Sequence, residues 1–432
     1  MLQANQALAP ASAHARQDAA WPARQEAASA PAGMPDVRLF IGDDLSALED
    51  EWRRFERDAD CMVFQCFDWL AAWQQHIGTR THTRPAIVVG RDADNRILFI
   101  LPLATSAFGP LTRLTFLGRD LGDYNAPLLA PTFQSAVGHR FPELWRAICA
   151  RLQQSSGHRH DLVLLDKMPV RVGDQPNPFL RLDVALNPSG AYLTALNGSW
   201  DAFYSEKRSS STRRRDRTKR KKLCEQGEVR MVTTERPDDA GRTLDLLMEQ
   251  KARSFARMGV ENIFDRPGYR EFFRELATNP RTRSLVHVSR LEVGPTWAAT
   301  NLGLTFHGGY FHVLASYDDG PISRFGPGAA HLQELLRYAL EHGCRSFDFT
   351  IGDEPYKRDW SDTELLLHDH VAGASWSGMI AATAMDTSRR LKRAIKQSKL
   401  WPAATRLRAR VGALKARLLS RSPAAPRGGG DR

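Results

Sequence analysis

The stretch Arg324-Phe325-Gly326-Pro327-Gly328-Ala329-Ala330 sets a cation and several small residues where a predicted strand meets a predicted helix. Small residues there let a phosphate approach backbone N–H groups at the positive end of a helix dipole, which suits a pyrophosphate; a plain turn with a helix start is the competing reading. Asp348 alternates with Phe347 and Phe349 on a predicted strand. A carboxylate among buried aromatics needs hydrogen-bond partners and titrates high, so it suits a general base toward an amine, or a structural aspartate that ties down the following loop. Tyr356-Lys357 follows the Gly352 turn, where a cation can meet charge on a donor or an intermediate. Asp123 and Tyr124 sit in a Gly-flanked loop and offer hydrogen bonds to an acceptor, against ordinary turn chemistry.

Other chemistries lack motifs. The sequence has no HExxH, no GxxxxGK[ST] and no CxxC, so no metal site is expected. Its 5 cysteines are an odd number in a large chain and fit reduced thiols of a cytoplasmic protein. His307 and His312 fall on adjacent predicted strands and His368 and His370 at strand spacing, a pattern more often structural than catalytic.

The elements that must position these residues recur twice. A chain of 432 residues exceeds one hydrophobic core, and an apolar fraction of 42% supports two. After an Ala/Gln/Pro-rich leader over 1–36, read as disordered, the first half (37–195) runs through helices around Leu45–Arg57 and Trp69–Ile77. A hairpin about Asp92–Asn95, a strand Leu114–Leu117, the loop Gly118–Pro127, a helix Pro142–Gln153 and a strand Asp161–Asp166 follow. The second half (223–372) repeats the series, with helices Arg242–Met258 and Pro267–Thr278, three strands from Ser284 to Tyr317, a helix Ala329–His342 and a strand Arg345–Ile351. That order, helix, antiparallel strands, helix, buried strand, argues for a duplicated domain.

The net charge of +11 is concentrated in two segments. Lys207–Lys222, within the interdomain segment 196–222, holds ten Lys/Arg against Asp216, and Arg389–Arg432, within the tail 373–432, holds fourteen against Asp431; the remainder is acidic. The first segment is either a phosphate-binding surface or a solvated helix, and without aromatic residues it does not read bases. In the tail, Leu407, Val411, Leu414 and Leu418 form one apolar stripe in a basic helix. Such a helix lies on an anionic membrane or packs on its own acidic domain.

Several motifs together carry a family resemblance: the Gly-Pro-Gly turn, Cys344-Arg345-Ser346-Phe347-Asp348-Phe349-Thr350, and Gly352-Asp353-Glu354-Pro355-Tyr356-Lys357-Arg358-Asp359-Trp360. In the first half Phe64-Gln65-Cys66-Phe67-Asp68-Trp69, Leu101-Pro102-Leu103 and Asp123-Tyr124-Asn125 agree. Over about Phe64–Trp360 the chain resembles the BioF2-like, cellulose-biosynthesis-associated branch of GNAT acetyltransferases, and more distantly the Fem-type aminoacyltransferases. The resemblance implies an α/β fold of tandem GNAT-like domains, each a mixed, mainly antiparallel sheet with flanking helices. It implies N-acyl transfer from acyl-CoA, with acetyl-CoA as the expected donor, to an amine of a sugar, polysaccharide or cell-envelope precursor, a small-molecule or glycan-precursor acceptor. Arg324, Gly326, Gly328, Ala329 and Ala330 would hold the donor, although Arg324 stands one residue closer to Gly326 than in the family's usual loop. Lys357, Asp348 and Tyr356 would act in catalysis, and Asp123 and Tyr124 would bind the acceptor. A tRNA-linked donor is the alternative, as is an inactive pair that binds phosphate or membrane; the expected location is cytoplasmic, or peripheral at the inner face of the membrane.

Overall fold

The computed structural model describes residues 28–29 and 37–397. Most of the leader, and the Leu407–Leu418 stripe, lie outside the described residues.

In the first half, β1 (Arg38–Gly42) precedes helices α1 (Glu49–Asp58) and α2 (Phe67–Trp73). β2 (Arg84–Arg91) and β3 (Ile97–Phe108) pair as a hairpin whose turn is fixed by Asn95 at φ 67° and by the Arg96 N–H donating to Asp92 Oδ1 at 2.8 Å. β4 (Leu111–Phe116), α3 (Phe141–Gln154), β5 (Leu162–Pro169) and the short β6 (Ala185–Leu186) follow. β7 (Ala191–Ala195) and helices α4 (Trp200–Lys207) and α5 (Ser210–Cys224) lead into the second half, so the basic segment is helical.

The second half repeats the plan. β8 (Val229–Thr233) precedes α6 (Pro237–Met258), which stops at Gly259 in the left-handed region (φ 65°), a conformation glycine adopts without a Cβ clash. In α7 (Tyr269–Thr278), Tyr269, Phe272, Phe273 and Leu276 recur at helical spacing and are buried together. β9 (Val286–Val293), β10 (Thr296–Phe306), β11 (Gly309–Tyr317), α8 (Pro327–Glu341), β12 (Ser346–Ile351), α9 (Pro355–Trp360), β13 (Thr363–Leu365), β14 (Leu367–Gly373) and α10 (Trp376–Gln397) complete the chain.

Two twisted sheets result. The first runs β1-β2-β3-β4-β5-β14-β6, with Ala28–Ser29 added beside β1 and Leu128–Leu129 beside β3; the second runs β8-β9-β10-β11-β12-β7-β13. The orders correspond position by position, and the sixth strand of each sheet comes from the other half: β14 enters the first sheet and β7 the second. This exchange interlocks the halves. A shared core backs it, in which Trp69 of α2 meets Phe272 of α7 edge-on at 4.9 Å and Phe64 approaches Phe311 of β11 at 6.3 Å. All five cysteines are free thiols.

Candidate active site

In each sheet the fourth and fifth strands run parallel for a short distance and then part. β4 and β5 pair only at Arg113–Leu162 and Leu114–Val163; β11 and β12 pair at Gly309–Ser346, Tyr310–Phe347 and Phe311–Asp348. β11 continues to Tyr317 and β12 to Ile351 without further pairing, which leaves a fork with backbone groups on its inner edges.

Asp348 stands where the second fork opens. A register shift in the pairing with β7, between Ala191–Ile351 and Leu193–Asp348, marks a bulge, and Thr350 within it has φ 60°. Bulges of this kind re-aim side chains, and a non-glycine residue at positive φ costs energy that the surroundings must offset. Asp348 Oδ1 accepts hydrogen bonds from the Tyr124 hydroxyl (2.6 Å) and the Thr350 N–H (2.7 Å). No hydrogen bond among the described residues reaches Oδ2. Burial pushes the carboxyl up to about 7; the Tyr124 and Thr350 bonds oppose the rise, neighbouring Asp123 adds to it and Lys357 opposes it.

The supporting residues come from four elements. Tyr124 is fully buried in the first-half loop, so its hydroxyl is committed to Asp348 and is not free to meet an acceptor. Asp123 beside it is half-buried, and burial raises its carboxyl against the Lys167 cation and a Thr350 hydrogen bond. Lys357 is buried as well: its ammonium donates to the carbonyls of Ile351 (2.7 Å) and Thr350 (3.4 Å) and pairs with Glu354 (3.1 Å). With three partners it clamps the strained Thr350–Ile351 turn from inside the fold. Tyr356, its neighbour on α9, is 39% exposed and meets Phe349 edge-on at 6.4 Å. His312 on β11 lies against Phe347 with Nδ1 unpartnered, and burial, with the Lys357 and Lys251 cations, lowers it to about 3, so it is neutral. Lys251 on α6 is lowered by burial, opposed by Glu354 and helped by Lys357.

The Gly326 turn occupies a separate corner beyond the end of β11. Gly326 is left-handed (φ 70°), Pro327 opens α8, and no side chain caps that helix. The N–H groups of Gly328 and Ala329 therefore precede the first intrahelical bond and have no acceptor of their own. A Cβ on Gly328 would come within 2.9 Å of the Tyr317 ring. Arg324 is exposed over the Phe325 ring at 4.7 Å, Ala329 is exposed and Ala330 buried. Helix α5 runs alongside: Arg220 pairs with Glu334 of α8 at 2.8 Å, and Lys219 reaches to the side of Gly326. The lone acid of α5, Asp216, is taken by Tyr204 (2.8 Å) and Arg208 (3.7 Å). Arg214, Arg217, Lys219, Lys221 and Lys222 are exposed and in no ion pair among the described residues.

The sequence separates these residues widely. Tyr124 and Asp348 are 224 positions apart, and neither the contact nor the roles of Thr350, Lys251 and neutral His312 carried a local signal. His307 stacks on Phe306 (4.1 Å) and His370 bonds the Asp183 carbonyl (2.7 Å), away from this cluster. Among the described residues no three His, Cys, Asp or Glu side chains are placed to hold a metal ion.

Residues 210–358 match the family model of the acetyltransferase (GNAT) domain. The second half is a GNAT domain. The matched domain supports an N-acyltransferase, and the fork between β11 and β12 lies inside the matched segment. Among solved structures, FemX is similar at 10% identity and a TM-score of 0.52, covering 75% of this chain and 96% of that one. A conserved protein of unknown function from Bacteroides thetaiotaomicron VPI-5482 is similar at 12% identity and a TM-score of 0.51, covering 76% and 98%. Such identities bear on the fold alone, and the likeness in fold covers about three quarters of this chain. No curated protein sequence matches the chain.

Proposed function

We propose that the protein transfers an acyl group from acyl-CoA, with acetyl-CoA the expected donor, to an amine of a sugar or cell-envelope precursor, and that Asp348 is the general base. The observation that carries this reading is Asp348 itself, a carboxyl held at about 7 at the mouth of the parallel fork with one oxygen fixed and the other unclaimed. An amine arrives mostly as ammonium and must lose a proton before it attacks, and a base with a pKa near the working pH does this best. Asp348 Oδ2 takes that proton. The amine nitrogen then bonds to the thioester carbonyl carbon, and backbone N–H groups of Val313–Tyr317 on the unpaired edge of β11 hold the developing oxyanion. The C–S bond breaks, and the thiolate leaves with the electron pair and takes up the second proton, which the nitrogen sheds as the amide forms.

The Gly326 turn suits the donor's pyrophosphate, since Gly328 leaves a gap that a Cβ would narrow and two N–H groups face it uncapped. Asp123 lies near the base for contact with the acceptor, and Tyr124 and Lys357 position the base and its turn. One observation favours a second reading with a nucleic-acid-linked donor: the unpaired cations of α5 beside this turn.

Calorimetric titration with acetyl-CoA tests the donor. Wild type should bind, and Gly328→Val should weaken binding by about tenfold or more with little change in Tm, the effect of losing close approach to backbone donors. Unchanged affinity in a folded Gly328→Val protein places the donor elsewhere; binding only of charged tRNA selects the second reading.

A further inference from the structure

The three most exposed large apolar side chains among the described residues are Trp376 (83%), Ile380 (73%) and Leu391 (61%), and all three belong to α10. At 100° per residue they fall, with exposed Ala384 and Thr387, within a sector about 80° wide and about 22 Å long. The opposite side of α10 packs on β14 and β5.

The helix is bolted in that orientation. The N–H groups of Ala374 and Ser375 donate to the Asp161 carbonyl (2.7 and 3.3 Å), Ser375 Oγ donates to Asp161 Oδ1 (2.7 Å), and the Gly378 N–H donates back to Ser375 Oγ (3.1 Å). A Cβ on Gly378 would overlap the Asp161 carbonyl, so glycine is required for this approach. The ridge therefore faces water by construction and not through a loose helix.

Its charge says what covers it. The last turns of α10 carry Arg389, Arg390, Lys392, Arg393 and Lys396, and the one acid in the helix, Asp386, is paired with Arg390 at 2.8 Å. Residues 398–432 add nine Lys/Arg against Asp431. A second copy of the ridge, or the chain's own cationic end, would bring like charges together, whereas an anionic lipid surface satisfies both the apolar ridge and the cations.

We infer that α10 docks the protein on an anionic bilayer, with Trp376, Ile380 and Leu391 entering the headgroup region. The aromatic ring at the start of the ridge suits that interface. No described helix is long and apolar enough to cross a membrane, so the attachment is peripheral. This inference stands apart from the transfer reaction, because binding is measured without turnover.

Co-sedimentation of the full-length protein with vesicles of mixed phosphatidylglycerol and phosphatidylcholine is the test. Wild type should bind these vesicles, bind pure phosphatidylcholine weakly, and release in high salt. The triple variant Trp376→Ser, Ile380→Ser, Leu391→Ser should lose about tenfold or more in affinity at unchanged Tm, since three apolar side chains leave the interface. Truncation after residue 397 should weaken binding without abolishing it. Equal vesicle binding by wild type and the triple variant overturns the inference, as does wild type that fails to bind. A wild-type dimer that the triple variant converts to monomer also overturns it, since a second copy then covers the ridge.

Discussion

The two halves fork in the same place and fill the fork differently. In each, the fifth strand bulges against the exchanged strand with a non-glycine residue at positive φ, Lys167 (57°) in β5 and Thr350 (60°) in β12. The registers bring Leu165 of β5 into the position of Asp348 of β12. In the first half the inner edge of β5 is closed by its own loop. The Asn125 N–H donates to the Lys167 carbonyl (3.1 Å), the Asn125 side-chain amide to the Asp166 carbonyl (3.0 Å), and the Lys167 ammonium to the carbonyls of Arg119 and Gly122. That same loop sends Tyr124 across to Asp348. One fork is thus filled by a loop that bonds Asp348 through Tyr124, and the other keeps a carboxylate at an unpaired edge. On the proposed reading, the first half supports and the second half reacts.

The largest effect is expected from exchanging the distinguishing residue. Asp348→Asn should lower kcat/KM by roughly a hundredfold to ten-thousandfold, the range for a general base, while acetyl-CoA affinity holds. Its stability should move the other way. Because the Asp348 carboxyl sits at about 7, above its unfolded value near 4, wild type binds an extra proton on folding between those pH values and loses stability as pH rises through them. The Asn variant lacks that loss, so chemical denaturation above about pH 7 should find it the more stable, by on the order of a few kcal/mol. His287, His312 and His331, each lowered to about 3 by burial, act oppositely: their contribution is full above about pH 6.5 and is lost as pH falls toward 3.

Leu165→Asp asks whether the bulge alone makes a site. With Leu165 fully buried, the variant should lose about 3 kcal/mol or more in denaturant melts and gain no turnover of its own. A stable variant that restores activity to Asp348→Asn would show the two forks to be equivalent. A smaller effect is expected at Lys357, whose removal leaves the Ile351 and Thr350 carbonyls without their donor. Lys357→Met should cost about 1–3 kcal/mol and lower kcat more than it raises KM, because the turn that presents Asp348 loosens. A variant with wild-type Tm and kcat would remove the clamp from this account.

Much of this architecture was legible in the sequence. The Asp92–Asn95 turn, the helix expected over Pro267–Thr278 and the Gly326-Pro327-Gly328 turn at a helix start are local patterns, and the structure shows each in its place. The strand exchange was not legible, because β7 and β14 read as strands whichever sheet receives them. Asp348 stood out through its aromatic neighbours. Its partner Tyr124 resembled a turn residue, and Lys357 resembled a lysine at the cleft mouth, because a long-range hydrogen bond and an inward-turned ammonium leave no periodic trace.

The most direct test of Asp348 as the base is the pH dependence of kcat/KM for wild type and Tyr124→Phe. Wild type should rise along an acid limb with a midpoint near 7 and unit slope, as a single carboxyl ionises. Removing the Tyr124 hydroxyl takes away a bond that favours the carboxylate, so the midpoint should move upward, with a modest loss of the plateau rate. A profile that is flat through this range, or a limb that stays in place when the hydroxyl is gone, would contradict the assignment.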